Sequence, residues 1–226
     1  MTYIVLIASV LIGIGIVFSF KPNSKITQLL LSFSGAYLLS ITILHLLPEV
    51  FVNNDQAHSI GLFILLGLLL QLILDFFSRG AEHGHLHVSK DKMLPTSLFL
   101  SLCLHAFMEG LPLGGHNHDH DHLLWAIVIH KIPIAIILGT FLLNSSLSKI
   151  KALFILLLFS IMSPLGSFAG GNIPLLITYR TEITAVIIGV LLHISTIILF
   201  ESAKDHKFNL LKFITIIIGM IIAYLA

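Results

Sequence analysis

Residues 123–143 read LLWAIVIHKIPIAIILGTFLL, a run whose only ionisable side chains are those of His130 and Lys131. One helical crossing of a bilayer needs about 20 predominantly apolar residues, so this run predicts a transmembrane helix. The whole chain of 226 residues has the same character, with 57% hydrophobic and 10% charged residues. Because an ordinary soluble domain has about 25% charged residues, the composition excludes a water-soluble globule. The formal net charge of +1 also excludes a strongly basic nucleic-acid-binding protein.

Similar apolar runs recur along the chain, and they predict an all-α integral membrane protein with eight transmembrane helices. Too few residues remain between them for a further domain, so residues 1–226 are expected to form a single transmembrane domain. The expected spans are about 2–20, 26–48, 58–77, 93–113, 123–143, 150–169, 182–200 and 208–225.

The distribution of positive charge predicts how these helices are oriented. Ten of the 12 lysines and arginines follow odd-numbered spans. Cytoplasmic loops carry the excess of such residues, so both termini are expected to lie outside the cytoplasm, in a plasma or inner membrane. Spans 1–3 and 6–8 then start from opposite sides, which is the pattern of an inverted repeat in a 3+2+3 arrangement.

Ionisable residues at membrane depth identify the candidate site. His105 and Glu109 are four residues apart in span 4, so both point from one face of the helix. Imidazole and carboxylate together supply half of a tetrahedral zinc shell. The alternative is that such residues only bridge helices by hydrogen bonds.

Span 5 offers a third ligand, His130. Pro133 leaves the carbonyl group of Ile129 without its helical hydrogen bond, which predicts a kink beside His130. His130 and His105 lie at compatible depths when the two spans are counted from opposite sides. The sequence therefore predicts one metal site made of His105, Glu109 and His130.

These motifs resemble those of the ZIP (Zrt-, Irt-like protein) divalent metal transporters, which have eight spans with both termini outside. Span 4 of this family has the form H-N-x-P-E-G or H-N-x-x-D-G, and span 5 has the form H/Q-E/D-x-P-H/E-E/G. The matching segments here are His105-Ala-Phe-Met-Glu-Gly and His130-Lys-Ile-Pro-Ile-Ala. The segments His45-Leu-Leu-Pro-Glu and Ser163-Pro-Leu-Gly are similar to the family's H-L-L-P-E and E-P-L-G.

The resemblance implies that one of the family's two adjacent metal sites is missing. The ligand positions of the second site are occupied here by Ala106, Lys131, Ile134 and Ser163. A single-metal member is therefore expected. The ammonium group of Lys131 would be an electrostatic surrogate for the second cation, with a snorkelling lysine as the alternative.

Further histidines lie in the predicted loops, between spans 4 and 5 on the outer side and between spans 3 and 4 on the cytoplasmic side, and near the outer end of span 2. The outer run, His116, His118, His120 and His122, is expected to capture metal, unless it is only a solvated linker. The inner cluster, His83, His85 and His87, is a second candidate for loop metal binding. His45 and Glu49, one turn apart in span 2, are candidate entrance ligands, unless they only hold helices together.

The leading functional prediction is a transporter that moves a divalent metal, zinc above others, into the cytoplasm. Iron, manganese, cobalt and cadmium suit the same ligands. Neither enzymatic activity nor a prosthetic group is expected. The alternatives are a non-transporting metal sensor and a membrane-embedded metallohydrolase, although the chain has no H-E-x-x-H motif. The expected partners are metal ions and the lipid bilayer, with a homodimer left open, and no nucleic acid.

Overall fold

The structure is a computed structural model that describes residues 1–20, 22–52, 57–78, 96–114, 121–200 and 209–226. Nearly all of these residues are helical, and the described part contains no strand. The α-helices are α1 Thr2–Phe20, α2 Ser24–Ile41, α3 Leu47–Phe51, α4 Ala57–Ser78, α5 Thr96–Gly110, α6 Asp121–Leu143, α7 Lys149–Asn172, α8 Pro174–Thr178, α9 Arg180–Phe200 and α10 Leu210–Leu225.

Seven of the described helical segments are long and apolar enough to cross a membrane. They correspond to the first seven expected spans, with α2 and α3 forming one segment, Ser24–Phe51, and α5 continuing into a short 3₁₀ turn, Leu111–Leu113. The last expected span contains α10, an apolar helix of 16 residues. The prediction of an all-α membrane protein is confirmed.

A π-helical turn, Thr42–Leu46, interrupts the second segment, where the sequence predicted one continuous span. Pro48 has no N–H group to donate to the carbonyl group of Leu44, so the regular α-helical hydrogen bonding cannot continue through this turn. The N–H group of Leu47 instead donates to the carbonyl group of Thr42, five residues earlier. The turn contains His45, one of the predicted entrance ligands.

Helix α6 is the most enclosed of the membrane-length helices. In an apolar stretch of 18 residues within α6, 78% of the residues are buried, compared with 22% in the corresponding stretch of α4. It packs mainly on α1 and α2, whereas α5 packs mainly on α7. The residues of the predicted site therefore lie on two helices with different main partners. Helix α6 itself stays continuous through Pro133.

Helices α5 and α7 approach each other closely because both have glycine at the crossing. A Cβ atom on Gly166 would overlap with the carbonyl oxygen of Phe107, and one on Gly110 would overlap with that of Ser163. Small residues permit such close backbone approach in membranes. This crossing fixes the part of α5 that carries Glu109.

Candidate metal centre

His105 and Glu109 share one face of α5, as their spacing predicted, and His130 of α6 reaches them. One potential ligand atom from each of the three side chains lies within 4.8 Å of the other two. His105 Nε2 lies 3.0 Å from Glu109 Oε1. All three residues are buried, with 3% or less of their surface exposed. Among the described residues this is the cluster of three whose atoms can meet at one ion.

The donor set fits a borderline divalent metal. Zinc bonds of about 2.0–2.2 Å to imidazole nitrogen and carboxylate oxygen place neighbouring ligand atoms roughly 3.3 Å apart in a tetrahedron. The present ligand atoms lie within 4.8 Å of one another, so the three side chains would have to move closer together to surround one zinc ion. Two histidines and one glutamate leave a fourth position for water or for a passing ligand.

A serine of α2 orients the ring of His130. The hydroxyl group of Ser34 donates to the carbonyl oxygen of Leu31 at 3.0 Å, and its oxygen lies 3.4 Å from His130 Nδ1. Because the hydroxyl proton is used in the first bond, Ser34 Oγ is placed to accept from Nδ1–H in the tautomer of His130 that carries its proton there. In that tautomer Nε2 is the nitrogen that can bind a metal, which is the arrangement that outer-shell partners typically produce for metal-binding histidines.

Lys131 is buried, with 3% of its surface exposed. Its Nζ atom lies 3.1 Å from Glu109 Oε2 and 5.3 Å from the centre of the Phe159 ring on α7. The carboxylate of Glu109 therefore faces His105 through one oxygen and Lys131 through the other. An aromatic face at this distance adds a favourable cation–π interaction.

Two further positions that the resemblance assigned to a second metal serve helix packing. The hydroxyl group of Ser163 on α7 donates to the carbonyl oxygen of Ala106 on α5 at 2.5 Å. Ile134 is buried in the hydrophobic core. Neither side chain supplies a carboxylate or an imidazole for a second ion beside Glu109.

The remaining predicted residues lie elsewhere. The rings of His45 and His122 are stacked with their centres 4.4 Å apart, and Glu49 is exposed on α3. The other predicted loop ligands, His83, His85, His87, His116, His118 and His120, lie outside the described residues.

Sequence reasoning missed Ser34, Phe159 and the stacking of His45 on His122. A serine or phenylalanine in an apolar helix is too common to single out, because its importance depends on which helix faces it. The two histidines were each predicted as ligands, but no spacing rule connects residues so distant in sequence.

Residues 81–226 match the family described as "ZIP Zinc transporter", and this region includes α5, α6 and the three clustered ligands. "Protein zntD" of Dictyostelium discoideum is 31% identical over 107 residues, which are 41% of this chain and 16% of that protein. The chain thus spans a small part of the length of this relative. Since the family match covers well over half of the sequence, the chain belongs to the ZIP zinc transporter family.

Proposed function

We propose that the protein transports a divalent metal ion, zinc above others, into the cytoplasm through a single site formed by His105, Glu109 and His130. The observation that carries this proposal is the convergence of three buried ligands from two membrane-length helices within 4.8 Å. Ionisable residues at membrane depth usually mark ion paths, and membership of the ZIP family supports metal as the cargo.

The packing of the helices suits a site that opens and closes. Helix α5 is held mainly by α7, whereas α6 is held mainly by α1 and α2. The ligands are therefore divided between two groups of helices, and a small movement of one group against the other changes access to the ion. Transporters with sites near the midplane commonly work by such movements.

The proposed topology is eight spans in one domain of residues 1–226, with α10 as the eighth span and both termini outside the cytoplasm. Helix contacts support a 3+2+3 inverted repeat. The symmetry relates spans 1–3 to spans 6–8 and span 4 to span 5, so the pair α2–α10 should correspond to α9–α4, and α1–α6 to α7–α5. All four pairs are among the most extensive helix contacts in the described residues.

Lys131 is proposed to replace the second cation of a two-metal site. Its ammonium group forms an ion pair with Oε2 of Glu109, whereas Oε1 of the same carboxylate faces His105. A positive charge at this place favours the ionised carboxylate, which keeps Glu109 able to bind metal. The same charge repels the incoming ion, and this should speed its release.

The outer run and the inner cluster are proposed to bind metal loosely on the two sides of the membrane. Repeated imidazoles in a loop bind borderline metals with fast exchange. The outer run leads into α6, and its last member, His122, is the second residue of that helix. It is therefore placed to raise the local metal concentration before ions enter.

The test is uptake of zinc into sealed proteoliposomes that contain the purified full chain, followed with a metal-sensitive dye. His105→Ala and His130→Ala should each abolish uptake, while His58→Ala, which changes an exposed histidine at the start of α4, should leave it unchanged. Runs with iron, manganese, cobalt and cadmium, each with and without a pH gradient, define the cargo and its coupling.

Two results would contradict the proposal. Zinc uptake at the parental rate by a His105→Ala, His130→Ala double variant would place the path elsewhere. Zinc binding without any uptake by the parental protein would favour the non-transporting sensor.

A further inference from the structure

We propose that His45 and His122 together form a second divalent-metal site, separate from the His105–Glu109–His130 cluster, at the outer end of the path. We call these two residues the mouth pair. This inference deepens the transport function proposed above and rests on it for the direction of entry. Metal binding at the mouth pair can nevertheless be measured without any transport.

The geometry of the two rings carries the proposal. The imidazoles of His45 and His122 lie with their centres 4.4 Å apart and their planes inclined by 17°. Two nitrogens bound to one zinc ion are roughly 3.3 Å apart, given Zn–N bonds of about 2.0–2.1 Å and a tetrahedral angle. The two nearly parallel rings do not point at one common ion in the stack, so metal binding requires at least one ring to rotate about its side-chain torsions. Both side chains are partly exposed, so an ion can reach them.

The backbone at His45 is specialised for this position. His45 lies in the π-helical turn that precedes Pro48. Single π-helical turns are rare in proteins as a whole, and those that do occur are often found at functional sites. The extra residue in a π-helical turn rotates the side chains after the turn relative to those before it. Here His45, which lies in the turn, contacts His122 of α6.

Two carboxylates lie close to the mouth pair in sequence, although neither forms a cluster of three ligands with the two rings as they stand in the described residues. Glu49 follows His45 by four residues on the next helical turn, and Asp121 directly precedes His122. Both carboxylates are exposed. Two imidazoles with carboxylate or water oxygens form a set that zinc accepts.

The same two helix segments also connect the mouth pair to the buried cluster. The segments touch through Ser34 and His130 at one level and through His45 and His122 at the other. Along α6, the eight residues from His122 to His130 correspond to about 12 Å of helix. One ion cannot bind His122 and His130 at the same time over that distance. The mouth pair would therefore be a second metal site, distinct from the buried cluster.

The experiment counts zinc ions bound to the purified full chain by competition with a chromophoric chelator. The starting variant has His105→Ala and His130→Ala, which remove the buried cluster, together with serine at positions 83, 85, 87, 116, 118 and 120, which removes the loop histidines. It should bind one zinc ion, and adding either His45→Phe or His122→Phe should abolish that binding. Phenylalanine keeps an aromatic ring in the stack and removes its nitrogens, so the melting temperature without metal should stay the same. His58→Phe is the matched control and should keep the ion.

A second measurement does not depend on the folding of the starting variant. In the otherwise unchanged chain, His45→Phe should lower the number of bound zinc ions by one and raise the half-saturating zinc concentration for uptake about tenfold, the lower end of the loss caused by disturbing a metal site. Unchanged zinc stoichiometry in both Phe variants would overturn the mouth site and make the stack a packing contact only. Loss of one bound ion in a protein that shows no uptake would keep the mouth site and overturn the transport function instead.

Discussion

Lys131 Nζ and Glu109 Oε2 lie 3.1 Å apart in the interior of the protein, with 3% and 1% of the two residues exposed. Glu109 is also the carboxylate of the candidate metal centre, where its other oxygen faces His105. A proposed ligand of the metal cargo is therefore also the ion-pair partner of a buried lysine. The pair has consequences for stability and for metal binding, which separate variants can distinguish.

The first prediction concerns stability. Glu109→Gln leaves the Lys131 ammonium buried without its carboxylate, and breaking a buried ion pair in this way costs about 3–5 kcal/mol. Glu109→Gln combined with Lys131→Met removes both charges and should recover much of that loss. Denaturant or thermal unfolding in detergent measures the effect, with exposed Lys151→Met as the control. Additive losses in the double variant would show that the two groups are not coupled.

The second prediction concerns metal binding by Lys131→Met alone. Two positive unit charges 4 Å apart repel each other by about 4 kcal/mol at an effective dielectric constant near 20. Every ~1.4 kcal/mol of binding free energy changes an affinity tenfold. Removing the cation should therefore tighten zinc binding by about tenfold or more and slow its release. Zinc titration and maximal uptake rate measure the two effects. If neither changes, Lys131 is a bystander and the surrogate role fails.

The third prediction concerns the serine that orients His130. Ser34→Ala removes the acceptor for His130 Nδ1–H and should weaken zinc binding by about 10- to 100-fold, as expected for an outer-shell partner. The melting temperature should change little. Ser40→Ala is a matched control on the same helix, because the Ser40 hydroxyl group donates to Ala36 of its own helix. Equal zinc affinities in the two variants would contradict an orienting role for Ser34.

The fourth prediction concerns the crossing of α5 and α7. A Cβ atom at position 166 would meet the carbonyl oxygen of Phe107, which cannot move unless the backbone of α5 moves with it. Gly166→Ala should therefore lower stability by about 1–3 kcal/mol and weaken zinc binding. At Gly61 an added Cβ atom meets nothing within 4 Å, so Gly61→Ala should not destabilise the protein. Thermal unfolding and zinc titration of both variants test the prediction, and parental behaviour of Gly166→Ala would contradict the close crossing.

The fifth prediction concerns the outer run. Serine at positions 116, 118 and 120 should raise the half-saturating zinc concentration and leave the maximal rate nearly unchanged, because the proposed topology puts this run outside the bilayer, where it would only concentrate ions at the entrance. Initial uptake rates over a range of zinc concentrations measure both quantities. Complete loss of uptake would mean that these histidines are part of the path itself.

The sequence alone determined the class of fold, and it predicted all three ligands of the candidate site, two of them from their spacing on one helix. Apolar runs such as residues 123–143 are long enough to span a bilayer, and a helix that satisfies its own backbone hydrogen bonds is the regular structure that such a run can adopt in lipid. The positions of His105 and Glu109 on one face follow from helix geometry, since residues four apart lie one above the other. Both inferences depend only on local spacing.

Tertiary structure decided which residues from different helices meet. The convergence of His130 on His105 and Glu109, the Lys131–Glu109 pair, the contact of Ser34 with His130 and the stack of His45 on His122 join positions far apart in sequence. Lipid is as apolar as the helix surfaces, so hydropathy does not specify how one helix turns towards another. Close packing at glycines such as Gly110 and Gly166, together with inter-helix hydrogen bonds, fixes those rotations, and these contacts exist only once the helices have assembled.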